Sequence, residues 1–136
     1  GEKDNIVGYC DIRLDDDGKY SGAKIAIKMG TSEGVLYHEI GHIVEYLHLG
    51  VYRYDWINTN KLGSKYIKIK DYKEDLDREY QQKLDWGLRV SEWFAEDVKQ
   101  ILSEEIGVIS SNWSMGPEIT EVEKTILKPI LFKLLE

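Results

Sequence analysis

The chain of 136 residues has a single cysteine, Cys10, so it can hold neither an internal disulfide nor a multi-cysteine zinc site. Any metal it binds must be held by histidine and carboxylate. No apolar run approaches the roughly 18 residues that cross a bilayer, which argues against a membrane span. A basic surface is missing too: the formal net charge is −7, and the nearest basic cluster, SKYIKIKDYK, is interrupted by acids. Nucleic-acid phosphates demand the opposite, so no nucleic-acid partner is expected. The opening GEKDNIV lacks the charged-then-apolar pattern of a secretory leader, and no internal repeat or low-complexity segment is present. What remains, 42% hydrophobic and 32% charged residues, suits one soluble globular domain over 1–136, which can equally be a piece of a longer protein.

Residues 8–14, GYCDIRL, alternate, with Cys10, Ile12 and Leu14 on one side and Tyr9, Asp11 and Arg13 on the other, the period of a half-buried strand. DDDG at 15–18 reads as a turn, its acids being consecutive and not at the alternate positions of a calcium loop. GAKIAIKMG at 22–30 alternates again and predicts a second strand, with Lys24 and Lys28 protecting an exposed edge. Thr31 or Ser32 can cap a helix that runs to about Leu49 and stops at Gly50. Its Leu36, Ile40, Ile43, Val44 and Leu47 form an apolar stripe, with His38, His42 and Glu45 on the opposite side. Residues 51–71 read as a long irregular connection with a short strand at 65–70. Helical patterning returns at Tyr72 and runs to Ile106 with a bend near Gly87, and SSNWSMGP follows as loop. Thr120 and Glu123 form a capping box for a last helix with apolar Val122, Ile126, Ile130 and Leu134 and a kink at Pro129. The order predicts an α+β fold: a small antiparallel sheet packed on the histidine-bearing helix, with a second long helix.

The first helix contains His38-Glu39-Ile40-Gly41-His42. Residues four apart on a helix lie one above the other, so both imidazoles can reach one ion at about 2.0–2.1 Å. The intervening Glu39 points toward the same cleft and can take a proton from a water that the metal activates. Gly41 keeps the helix surface thin between the pair. The plain alternative is a polar helix face with two histidines.

A catalytic zinc needs a third protein ligand and keeps one open position. Two candidates exist. His48 completes His-Glu-x-x-His-x-x-x-x-x-His, the spacing of the metzincin pattern, for which Met115 can stand as the methionine turn. That pattern requires glycine where this chain has Glu45, because the helix must end there. On a continuing helix, His48 lies about 120° round from His42, away from the metal, and is better read as a cation favoured at a helix C-terminus. The other candidate lies in SEWFAED, residues 91–97. Val90, Phe94, Val98 and Ile101 share one side of that helix and Glu92, Ala95 and Glu96 the other, and the small Ala95 permits a close helix–helix approach. A glutamate so placed is either a ligand or part of a solvated acidic face.

The pair His38-Glu39-Ile40-Gly41-His42 and Glu92-Trp93-Phe94-Ala95-Glu96 resembles the gluzincin metallopeptidases, more narrowly the lethal-factor-like and minimal gluzincin types. The resemblance rests on residues 36–46 and 91–97 and on the order of elements. It implies a zincin-like peptidase domain with Zn2+ held by His38, His42 and Glu92, Glu39 as general base, and Glu96 as a carboxylate holding a ligating histidine in its tautomer. It also implies a peptide or protein substrate added along the strand before the zinc helix, at Lys24, Ile25, Ala26, Ile27 and Lys28. The two lysines there suit acidic peptides. The chain departs from the pattern at Asp85, where these peptidases place an oxyanion-stabilising tyrosine; Arg89, Tyr80, Tyr66 and Tyr72 are candidate substitutes. That departure leaves a second function class open, a non-catalytic zinc-binding interaction domain, and a third, a helical interaction module without metal.

Overall fold

The computed structural model describes residues 8–27, 33–106 and 119–135, with backbone alone for residues 33, 106 and 130–135. The described residues form a mixed α and β arrangement of two strands and five α-helices. Strands β1 (Gly8–Leu14) and β2 (Tyr20–Ile27) pair antiparallel from Gly8↔Ile27 to Arg13↔Gly22. Asp15 builds the turn between them: its Oδ1 accepts from the amides of Asp17 and Lys19 at 2.9 and 2.8 Å. Gly18, at φ 77°, supplies the left-handed residue that closes it. The second strand therefore starts at Tyr20, two residues earlier than its alternation suggests; Lys28, the caps Thr31 and Ser32, SSNWSMGP and Met115 lie outside the described residues.

Helix α1 (Glu33–Leu49) ends as expected. Gly50 sits at φ 71° and donates its amide to the Tyr46 carbonyl at 3.2 Å, a left-handed cap that turns the chain back beneath the helix. The returning segment differs from its sequence reading. Residues 65–70 are not a strand but the second half of α2 (Lys61–Lys70). The alternation of KYIKIK is outweighed by Asn60, whose side chain caps the amides of Leu62 and Gly63, and by a 3.6-residue burial period through Gly63, Tyr66 and Lys70. Residues 51–60 are irregular as expected, apart from the 3-10 turn Trp56–Asn58, and the returning segment delivers Val51, Trp56 and Tyr66 to the core.

The helical pattern from Tyr72 to Ile106 is broken into α3 (Arg78–Lys83), a 3-10 turn (Trp86–Leu88) and α4 (Val90–Ile106). Gln81 accounts for the break. Fully buried, it donates from Nε2 to the Tyr72 hydroxyl and the Asp75 carbonyl and accepts from the Val90 amide at 3.0 Å. It thus satisfies a first-turn amide of α4 that a continuous helix would have paired internally. Helix α5 (Glu121–Leu135) begins with the expected box, Glu123 N–H to Thr120 Oγ1 at 3.1 Å and Thr120 N–H to Glu123 Oε1 at 3.4 Å. Among its described side chains Leu127 is buried, whereas Val122 and Ile126 are 70% and 39% exposed; the side chains of Ile130 and Leu134 lie outside the described residues.

Trp56, Tyr66 and Phe94 form the centre of the core, their rings 5.2–6.1 Å apart, and Val44, Val90, Val98 and Ile101 complete it. Helix α1 packs most extensively on α4 and also touches both strands. The α1–α4 contact is tight at one point: a Cβ on Gly41 would lie 2.6 Å from the Cα and 2.9 Å from the carbonyl oxygen of Ala95. Backbone cannot yield as a side-chain tip can, so Gly41→Ala is expected to destabilise the fold by about 1–3 kcal/mol through overpacking. That outweighs the gain of up to ~1 kcal/mol that alanine brings to a helix interior. Urea unfolding would measure it, and a variant as stable as the parent would contradict the close crossing.

Candidate functional site

Helices α1 and α4 bring together the residues that the sequence singled out 54 positions apart. His38 and His42 stack along α1, their rings edge to face with centroids 5.1 Å apart. The face carrying them turns inward: His38 is 7% exposed and Glu39 5%, whereas Leu47 of the apolar stripe is 47% exposed. Glu92 is 1% and Glu96 3% exposed, which removes the solvated acidic face as an account of them.

Glu92 Oε2 lies 2.7 Å from His38 Nε2 and 3.4 Å from His42 Nε2. His38, His42 and Glu92 each offer one ligand atom, all within 4.8 Å of one another. Donors around a tetrahedral ion at about 2.0–2.1 Å sit roughly 3.3 Å apart, so the spacing and the chemistry of the set suit a small divalent cation. Behind the donors, the remaining ring nitrogens face carboxylates: His38 Nδ1 is 2.8 Å from Glu96 Oε2, and His42 Nδ1 is 3.5 Å from Glu45 Oε1. Such contacts aim the opposite nitrogen at a metal. Glu96 is itself paired with Lys99. His48 is not a member of the group. It stands at the end of α1, where Asn60 binds its carbonyl.

A cleft of about 240 Å³ opens over Glu39, His42 and Glu92. Its walls are β1 from Gly8 to Ile12, the loop from Val51 to Tyr54, and Trp86. Lys24, Ile25, Ala26 and Ile27 do not line it, because β1 is the strand of the hairpin that faces the loop and β2 is paired behind it. Arg53 and Asp11 approach across the rim at 3.8 Å.

One site residue escaped the sequence reading. Tyr54 donates its hydroxyl to Glu92 Oε1 at 3.1 Å, and the Arg89 guanidinium lies over its ring, 5.4 Å from the centroid. Tyr54 and its neighbour Arg53 both adopt left-handed backbone, φ 70° and 48°, costly for side chains of this size. The segment is pinned by Arg78, whose Nε donates to the Arg53 carbonyl. Only the aromatic run YRYDW hints at it in sequence. The expected substitutes are engaged elsewhere: Tyr66 with Asp97, Tyr72 with the Leu88 carbonyl, and Tyr80 with Glu74. Arg89 reaches the site only through Tyr54, 3.5 Å away.

No family model matches the chain, and no curated protein or solved structure does.

Electrostatics bind the cluster together. Burial opposes a charged His38, but its hydrogen bonds to Glu92 and Glu96 outweigh it and raise its pKa. Burial likewise opposes the charged form of His42, yet the charge of Glu92 and the contact with Glu45 carry it well above 6.5. Burial would raise Glu92, but the two imidazoles hold it far below the usual carboxylate range. Glu39 moves upward because burial exceeds the lowering effect of His42 and His38. Burial and the Glu92 charge push the Tyr54 phenol up to about 12, so it stays a proton donor.

Each raised imidazole stabilises the fold while protonated. That contribution is complete below the ordinary value near 6.5 and is lost as pH rises through the folded values. A cation must displace the same protons, so its apparent affinity rises with pH. Chelator-treated protein is therefore expected to lose thermal stability as pH rises above about 6.5, while the rise in Tm on adding zinc chloride grows over the same rise in pH. Two flat profiles would remove the cluster as a cation site.

Proposed function

We propose that this chain is a zinc-dependent peptidase domain of the gluzincin type, in which the sheet and α4 pack on the helix bearing His38, Glu39 and His42. The observation that carries the reading is the convergence of His38, His42 and Glu92 beside a cleft that also holds Glu39. In this reading His38 Nε2, His42 Nε2 and a Glu92 oxygen hold the ion, and Glu96 orients His38. Bound there, zinc supplies Lewis acidity, acidifying a water and polarising the peptide carbonyl.

The chain's own groups do the rest. Glu39, its pKa lifted by burial toward the working range of a general base, takes a proton from the attacking water and passes it to the leaving amine. Tyr54 turns its hydroxyl from Glu92 to the carbonyl oxygen as negative charge builds there, supplying the donor missing at Asp85. The peptide lies in the cleft between β1 and the loop from Val51 to Tyr54.

Zinc content and cleavage of a mixed peptide library test this together. The wild type and His48→Ala are expected to carry one zinc per chain and Glu92→Ala none. Glu39→Gln should keep zinc and lose about 10²–10⁴-fold in kcat/KM. Tyr54→Phe should keep zinc and lose about 10²–10³-fold in kcat with little change in KM. Stoichiometric zinc without cleavage of any peptide would favour a non-catalytic zinc-binding domain, and no zinc would sink the peptidase reading.

A further inference from the structure

Resting on that metal assignment, we infer that Trp56 is a positioning residue for the zinc ligand His42, acting through Glu45. The indole is fully buried, and its Nε1 donates to Glu45 Oε2 at 2.7 Å and to Ser91 Oγ at 2.9 Å. The other oxygen of Glu45, itself 4% exposed, stands 3.5 Å from His42 Nδ1. His42 Nε2, across the ring, faces Glu92 Oε2 at 3.4 Å. A continuous line thus runs from indole to carboxylate to imidazole to the donor cluster.

Local sequence and chain reversal build this line in two parts. Glu45 is three residues beyond His42 on α1, where side chains are neighbours, so the helix itself aims the carboxylate at the ring. A carboxylate free to rotate would hold Nδ1 poorly. Trp56 removes that freedom from the far side: it sits in the 3-10 turn Trp56–Asn58, brought under α1 by the reversal at Gly50, and is wedged between Tyr66 and Phe94. A buried indole N–H requires an acceptor, and the shared donation to Glu45 and Ser91 satisfies it.

The two histidines are supported differently. The carboxylate behind His38, Glu96, is matched by the full positive charge of Lys99. Among the described ion pairs Glu45 meets only His42, and its second oxygen is met by a neutral N–H. Glu45 therefore leaves more negative charge on its imidazole than Glu96 does, and that imidazole is the partly exposed one at the cleft. The position that the metzincin pattern gives to glycine is used here to seat His42.

Zinc affinity, measured by competition with a chromophoric chelator at fixed pH, tests the assignment without reference to turnover. Glu45→Gln and Trp56→Phe are each expected to weaken zinc about 10–100-fold. The double variant should be no weaker than Glu45→Gln alone, because the indole acts only through the carboxylate. Ser91→Ala, which leaves the indole N–H wholly to Glu45, should keep wild-type affinity. The absorption bands of the cobalt(II)-loaded protein should shift in Trp56→Phe and Glu45→Gln and stay in place in Ser91→Ala. Glu45→Gln is nearly isosteric and keeps the test alive if loss of the indole unfolds the chain. Variants that bind zinc as the wild type does, or losses that add in the double variant, overturn the inference and leave the zinc site standing. A wild type that takes up no zinc overturns both.

Discussion

The close crossing of α1 and α4 at Gly41 and Ala95 is the constraint on which the rest depends. Only where backbone meets backbone can side chains as short as glutamate reach across to imidazoles on the partner helix. The consequence is visible beside the contact: Glu92, one turn before Ala95, and Glu96, the residue after it, both end within hydrogen-bonding distance of His38. A methyl group more between the helices would lengthen every one of these contacts together.

That crossing also concentrates charge where water is scarce. Glu39, Glu45, Glu92 and Glu96 are all at most 5% exposed, with two imidazoles and Lys99 among them. Isolated, each such carboxylate would cost several kcal/mol to bury or would take up a proton. The opposite shifts at Glu92 and at the two histidines show which effect wins: mutual attraction in a poorly solvated interface overrides the burial penalty. Glu39, without so close a counter-charge, shows the reverse balance. Structural helix pairs seldom bury so many acids, since apolar residues of the same volume fill such space at lower cost. The divalent cation proposed for this site would offset that cost.

The surroundings divide the labour. The aromatic centre of Trp56, Tyr66 and Phe94 sets the floor under α1 and α4, and one of its members lends its N–H to the site. On the open side, the strained pair Arg53 and Tyr54 is held by Arg78 and Arg89, so that a phenol overhangs the donors. Strain of this kind persists only where neighbouring contacts over-determine the backbone.

Sequence by itself determined what depends on neighbours a few residues apart: the hairpin around Asp15, the stop at Gly50, the Thr120–Glu123 box, and the stacking of His38 and His42 with Glu39 between them. The one cysteine limited the metal donors to nitrogen and oxygen. The spacing of Glu92, Ala95 and Glu96 was legible as a helix face, but not which way that face turned. Only tertiary structure decided that Glu92 is buried against the histidines, that residues 61–70 form a helix, that β1 and not β2 walls the cleft, and that Tyr54 and Trp56 reach the site. The reason is physical. Helical and strand periods repeat within a single element, whereas these placements depend on a left-handed backbone at Arg53 and Tyr54, on Gln81 replacing a helical partner, and on two helices meeting where each lacks a bulky side chain.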